Sequence, residues 1–151
     1  MKTITPFLWF DNQAEEATNF YVSIFKNSKV LSIMPGPNGK AFSVTFEIAG
    51  QEFIALNGGP NFKFTKAISF FVNCETHAEV DELWEKLTAG GEEGQCGWLK
   101  DRYGLSWQIV PTDLGVLLGD PDPARSQRVM QAMLQMKKID IAGLKRVYAQ
   151  G

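Results

Sequence analysis

Few side chains in this chain could do acid–base, nucleophilic or metal chemistry. Among 151 residues there is one histidine, His77. A two-histidine metal site within one chain is therefore excluded, as is a histidine-rich acid–base centre. His77 follows Thr76, a candidate helix N-cap, and the first turn of a helix disfavours an imidazolium. Cys74 and Cys96 stand far apart and outside any CxxC arrangement. That spacing argues against a zinc ribbon and a disulfide framework, and fits a reducing cytoplasm. Cys96, in Gln95-Cys96-Gly97-Trp98, becomes a nucleophile only if its thiolate is stabilised. Lys100 is two positions beyond Trp98, but no histidine base is near, so an inert cysteine is the plainer reading. Trp98 could stack on an aromatic or cationic ligand, whereas Trp9, Trp84 and Trp107 read as core. Glu15 and Glu16 favour a helix start rather than forming an acid–base pair.

Composition sets outer limits. Lys plus Arg is 15 and Asp plus Glu is 17, a net charge of −2, so no basic excess exists for sequence-independent nucleic-acid binding. Hydrophobic residues make up 44 % and charged residues 21 %, which is a globular balance. No apolar run approaches a membrane span, and Met1 to Pro6 has no signal-peptide core. We expect one domain, 1–151, in the cytoplasm.

The elements that must position these residues repeat. Ile4 to Phe10 reads as a strand, followed by an Asn12 N-cap with Glu15 as its box partner. Ala17, Phe20, Tyr21, Ile24 and Phe25 then follow at helical spacing. Strands are predicted at Val30 to Met34, Ala41 to Ile48 and Glu52 to Leu56. The order restarts with a strand at Ala67 to Val72 and a Thr76 cap with Glu79 as box partner. A helix through Val80, Leu83, Trp84 and Leu87 follows. Strands come next near Gln95, at Trp98 to Lys100 and at Leu105 to Val110. The unit β-α-β-β-β is thus written twice, in 4–57 and 67–111. A tail at 120–149 holds a helix of about four turns and a shorter one. Its stripe includes Val129, Met130, Met133, Leu134 and Met136, and reads as a packing surface.

This duplicated unit resembles the vicinal-oxygen-chelate superfamily of glyoxalases, bleomycin-resistance proteins and extradiol dioxygenases. Local motifs are similar to its PhnB-like branch. They are Phe10-Asp11-Asn12-Gln13-Ala14-Glu15-Glu16-Ala17 with Phe20-Tyr21, Leu56-Asn57-Gly58-Gly59-Pro60, Gly94 to Gly104, and Trp107-Gln108-Ile109-Val110-Pro111. The tail is also similar to that branch. The resemblance implies an α+β fold of paired βαβββ modules with a curved, mostly antiparallel sheet and a ligand cup. Members often carry the label 3-demethylubiquinone-9 3-methyltransferase. No glycine-rich strand-to-helix loop of the dinucleotide type is present to support that chemistry.

Metal-dependent relatives hold a cation with residues from the first and fourth strands of each module. Carried over by register, those positions are Pro6, Ala55 (or Asn57), Ala67 and Gln108. One neutral amide cannot hold a divalent ion against water, so no metal and no cofactor are expected. Strand alternation assigns Phe53, Ala55, Asn57, Ala67, Ser69, Phe71, Ser106, Gln108 and Val110 to the cup. The expected ligand-binding residues are Phe53, Asn57, Ser69, Phe71, Trp98 and Gln108. The catalytic candidates are Gln108, Cys96 and Lys100. The expectation is a metal-free small-molecule binding protein, a homodimer without nucleic-acid or membrane partners. The alternative is a glyoxalase-like or dioxygenase-like enzyme on a small oxygenated metabolite.

Overall fold

A computed structural model describes residues 4–150. The chain forms two compact units, one ending at Phe64 and the other beginning at Thr65.

The first unit carries β1 (Phe7–Phe10), α1 (Ala14–Ile24), β2 (Lys29–Pro35), β3 (Ala41–Ile48) and β4 (Gln51–Asn57). Its sheet runs β1-β4-β3-β2, with β1 parallel to β4 and the other pairs antiparallel. Helix α1 covers one face through Ala14, Ala17, Thr18 and Tyr21, all buried. Behind it an aromatic stack runs from Tyr21 to Phe46 at 6.5 Å and on to Phe53 at 5.4 Å. Each such side chain contributes roughly 1.5–3 kcal/mol on burial.

The second unit repeats the order with β5 (Ser69–Cys74), α2 (His77–Thr88), β6 (Glu92–Glu93), β7 (Trp98–Lys100) and β8 (Ser106–Pro111). Its sheet runs β5-β8-β7-β6, with β5 parallel to β8, so the strand order of the first unit recurs. Helix α2 buries Val80, Trp84 and Leu87. Thr76 caps it, its hydroxyl accepting from the Glu79 N–H at 3.1 Å, as the sequence predicts. Strand β5 begins at Ser69 and ends at Cys74, two residues later than the pattern predicts, and leaves Ala67 outside the sheet.

The tail holds three helices, not two. Helix α3 (Thr112–Leu118) starts directly after β8, followed by α4 (Pro123–Leu134) and α5 (Ile141–Ala149). Asp122 and Asp140 cap the last two, accepting from the N–H groups of Ala124 and Gly143. These helices close around Val110, Leu114, Leu117, Val129, Ile139 and Leu144, with Met133 and Met136 packed against that cluster. The methionine stripe is thus turned mainly inward, as a packing surface.

Candidate functional site

The helix-covered face of each sheet is spent on core, so ligand chemistry must be sought on the opposite face. In the second unit the register makes that face legible. Ser69 lies opposite Ser106, Phe71 opposite Gln108, and Trp98 also opposite Gln108. Lys100 lies opposite Ser106. Paired residues share a face, so Ser69, Phe71, Trp98, Lys100, Ser106 and Gln108 stand together. The α2 side instead receives Phe70, Val72, Cys74, Leu99, Trp107 and Ile109. The expected alternation in β5 and β8 therefore holds.

The polar groups of this open face are partly engaged with one another. Gln108 Nε2 donates to Ser69 Oγ at 2.9 Å, which orients the amide and leaves its carbonyl oxygen for another donor. Ser106 is 2 % exposed, and its hydroxyl has no hydrogen-bond partner. Buried hydroxyls are rarely left without a partner. Phe71 is 55 % exposed on the same face. Val110 shares the parity but is enclosed by the tail.

In the first unit the predicted faces are inverted. Phe53 stacks on Phe46, and Ala55 lies opposite Val44, all beneath α1. Asn57 is on the same side, and its amide is engaged at both ends. Its Oδ1 accepts from the Ala14 N–H at 2.8 Å, and its Nδ2 donates to the Ala41 carbonyl at 2.9 Å. Asn57 therefore does from β4 what Asn12 was expected to do from the helix start. Gln13 is the N-cap residue and makes no side-chain cap bond. Glu15 accepts from the Ala41 N–H instead of closing a capping box. The expectation that Phe53 and Asn57 line the ligand face is corrected: both are structural. The open face of this sheet carries Phe7, Trp9, Ile54 and Leu56, with Phe7 opposite Ile54 and Trp9 opposite Leu56. Trp9 donates from Nε1 to the Gly59 carbonyl at 2.9 Å. A Cβ at Gly58 would sit 2.3 Å from the Trp9 ring, so only glycine fits there.

The loop entering β7 is sharply bent. Cys96 and Gly97 have φ of 59° and 86°, and their N–H groups donate to the carbonyls of Met136 and Lys137 at 2.8 Å each. The tail thereby holds the backbone that aims Trp98. Cys96 is half-buried with a free thiol. Cys74 is buried, and desolvation followed by the nearby Glu79 charge raises its thiol to about 11, so it is inert near neutrality. His77 sits on the exposed side of α2, 3.5 Å from Asp81, away from the open face.

Asp101 is 2 % exposed, and its carboxylate accepts from the N–H groups of Tyr103 and Leu105 and from Trp107 Nε1. It fixes the β7–β8 turn, which the sequence itself places at Asp101-Arg102-Tyr103-Gly104.

The inherited metal positions do not fit a cation. Pro6 has no donor side chain, Ala55 is buried under α1, the Asn57 amide is engaged at both ends on the α1 side, and Ala67 lies outside β5. Gln108 alone keeps an amide on the open face. Among the described residues no three His, Cys, Asp or Glu side chains come together in a metal-binding group.

A cavity of about 480 Å³ opens beside Trp98, lined also by Lys66, Gln95, Lys100 and Lys137.

The two βαβββ units, each with one helix-covered face, define a vicinal-oxygen-chelate fold with an added helical tail. More narrowly, the chain belongs to the family described as 3-demethylubiquinone-9 3-methyltransferase, whose sequence model matches residues 2–110. It is 39 % identical to a PhnB protein from Bacillus cereus that carries the same description; the match covers 74 % of this chain and 100 % of that one, with a TM-score of 0.69. Protein PA1353 from Pseudomonas aeruginosa is 19 % identical, over 74 % of this chain and 98 % of that one, with a TM-score of 0.63. The fosfomycin resistance protein FosX from Listeria monocytogenes, solved with Mn(II) and sulfate, is 19 % identical over 71 % of this chain and 90 % of that one, with a TM-score of 0.54. These last two share the fold. No curated protein matches the chain.

The family's description names a methyl transfer. The loops that open α1 and α2, Asp11–Gln13 and Glu75–Thr76, contain no glycine. They lack the close backbone approach that a dinucleotide-type cofactor loop requires. The match to residues 2–110 leaves α3 to α5 outside the family's shared region, which narrows the expected resemblance of the tail. Among the described residues no helix is long and apolar enough to cross a membrane.

Proposed function

We propose that this chain is a small-molecule binding protein that works without a metal and holds its ligand on the open face of the second sheet. The observation that carries this reading is the gathering of Ser69, Phe71, Trp98 and Gln108 on one face by strand register. Two aromatic walls with a few fixed hydrogen-bonding groups make the kind of lining that small-molecule sites use. Gln108, oriented by Ser69, supplies the polar anchor. The first sheet's counterpart is Phe7, Trp9, Ile54 and Leu56, with Thr45 opposite Ile54 and Ser43 opposite Leu56. The poor fit of the inherited positions to a cation supports the same reading. We further read the functional unit as a homodimer. Apolar Leu31, Ile33 and Met34 lie exposed on edge strand β2, together with Phe42 on β3.

The test is elemental analysis of untagged, dialysed protein together with thermal shifts against Ni, Zn, Mn and Fe and against a panel of aromatic small molecules. A ligand that binds the folded state alone raises stability with concentration. The expected outcome is no stoichiometric metal, and a saturable shift with at least one small molecule that Gln108→Ala weakens. One tightly held metal per chain would overturn the proposal and favour an oxygen-chelate enzyme.

A further inference from the structure

The cavity beside Trp98 carries an unbalanced set of charges. Lys66, Lys100 and Lys137 all line it. None of the three makes a side-chain hydrogen bond or ion pair among the described residues, whereas Lys86, Lys138 and Lys145 each find a carboxylate. Two glutamates also border the cavity, but they are placed differently. Glu93 lies opposite Leu99 on the helix side, and its carboxylate accepts from Trp84 Nε1 at 2.7 Å. Glu92 lies opposite Lys100 on the open side and offsets part of that one charge. Three lysines against two glutamates leave the lining with an excess of one positive charge, beside an indole whose own N–H makes no hydrogen bond among the described residues.

Three ammonium groups brought to one concave surface repel each other, and that cost is recovered when an anion enters. The indole of Trp98 supplies a flat apolar wall for the ligand's body. We infer that the ligand is a small planar acid, with an aromatic body against Trp98 and a carboxylate held by Lys137 and Lys66. This deepens the binding-protein reading and rests on it, since the cavity shares Trp98 and Lys100 with the open face. Lys137 belongs to the tail, beyond the 2–110 matched to the family, whereas Lys66 and Lys100 lie within it, so the preference for an acid draws on both portions of the chain.

The probe is 2-naphthoate, with neutral 2-naphthamide of nearly the same shape as its control. Both are titrated into the full chain and followed by the indole N–H signals of the four tryptophans. The acid is expected to move the Trp98 signal and to bind roughly tenfold tighter than the amide in low salt, with the gap closing in about 0.5 M NaCl. Lys137→Gln and Lys66→Gln should each reduce the acid's affinity and leave the amide's unchanged, which also shows the variants are folded. Glu92→Gln should raise the acid's affinity. Equal binding of acid and amide at Trp98 would overturn the inference while leaving the small-molecule site standing. If neither moves Trp98 at millimolar concentration, the inference and the proposed function both fall.

Discussion

A side chain's type says what it could do, and its partners decide what it does. Asn57 is an example, since its amide is polar enough to hold a ligand yet is committed at both ends inside the first unit. Asn57→Ala leaves the Ala14 N–H uncapped and the Ala41 carbonyl unpaired, and should cost about 1–2 kcal/mol. Urea denaturation measures that loss. Naphthoate affinity should be unchanged in the same variant, and a large loss of affinity would return Asn57 to the ligand site. Gln108 differs only in having one end tied, which is why it keeps a free acceptor. Cys74 and Cys96 divide in the same way: one is buried and inert, the other stands at a bend held by the tail.

At the scale of elements, the bend before β7 joins the sheet to the tail at one point. A Cβ on Gly97 would lie 2.8 Å from Ile139 Cδ1 and 2.9 Å from the Ile109 carbonyl, at a φ that side chains rarely adopt. Gly97→Ala should therefore destabilise the chain by about 1–3 kcal/mol. Combining it with Ile139→Val should cost less than the sum of the two changes, because the smaller side chain relieves part of the clash. A double-mutant cycle in urea checks this, and strict additivity would mean that Ile139 does not meet the new methyl group. Periodicity made most elements readable, including β3, α2 and its Thr76 cap. It assigned β5 and β8 to the correct faces because Trp107 and Ile109 alternate there with Ser106 and Gln108. It inverted β4 because Phe53, Ile54, Ala55 and Leu56 are all apolar and give alternation nothing to choose between. Helix α3 was missed because no residue separates it from β8, whose last residue, Pro111, is also the helix N-cap position. The cavity could not be read at all, since Lys66, Lys100 and Lys137 are brought together only by the folded second unit.

Across the whole molecule, the tail lies beyond the 2–110 matched to the family and is fastened to the second unit. Besides the apolar cluster, Lys138 donates to Asp81 on α2 at 2.5 Å. That hydrogen bond is the main cause of a lowered Asp81 carboxyl, below its ordinary 3.8. The sign follows from linkage. A carboxylate with a depressed folded-state value contributes stability above its unfolded value and loses it as pH falls through the folded one. Wild type should therefore hold α2 and the segment around Lys138 together down to about pH 4 and loosen them below it. Both groups are half-exposed, so the effect is small and weakened by salt. Amide exchange at pH 5 and pH 3 measures it, and Asp81→Asn should remove the difference at that contact.

The fastening of the tail to Cys96 and Gly97 bears on how far function can be inherited by likeness. The Bacillus cereus relative is matched along its whole length by about three quarters of this chain. The shared portion supplies the two sheets and the indole, while the extension supplies the carbonyls that set the bend and one of the charges beside it. Two members of the family can thus share both sheets and still differ in what surrounds the bend before β7.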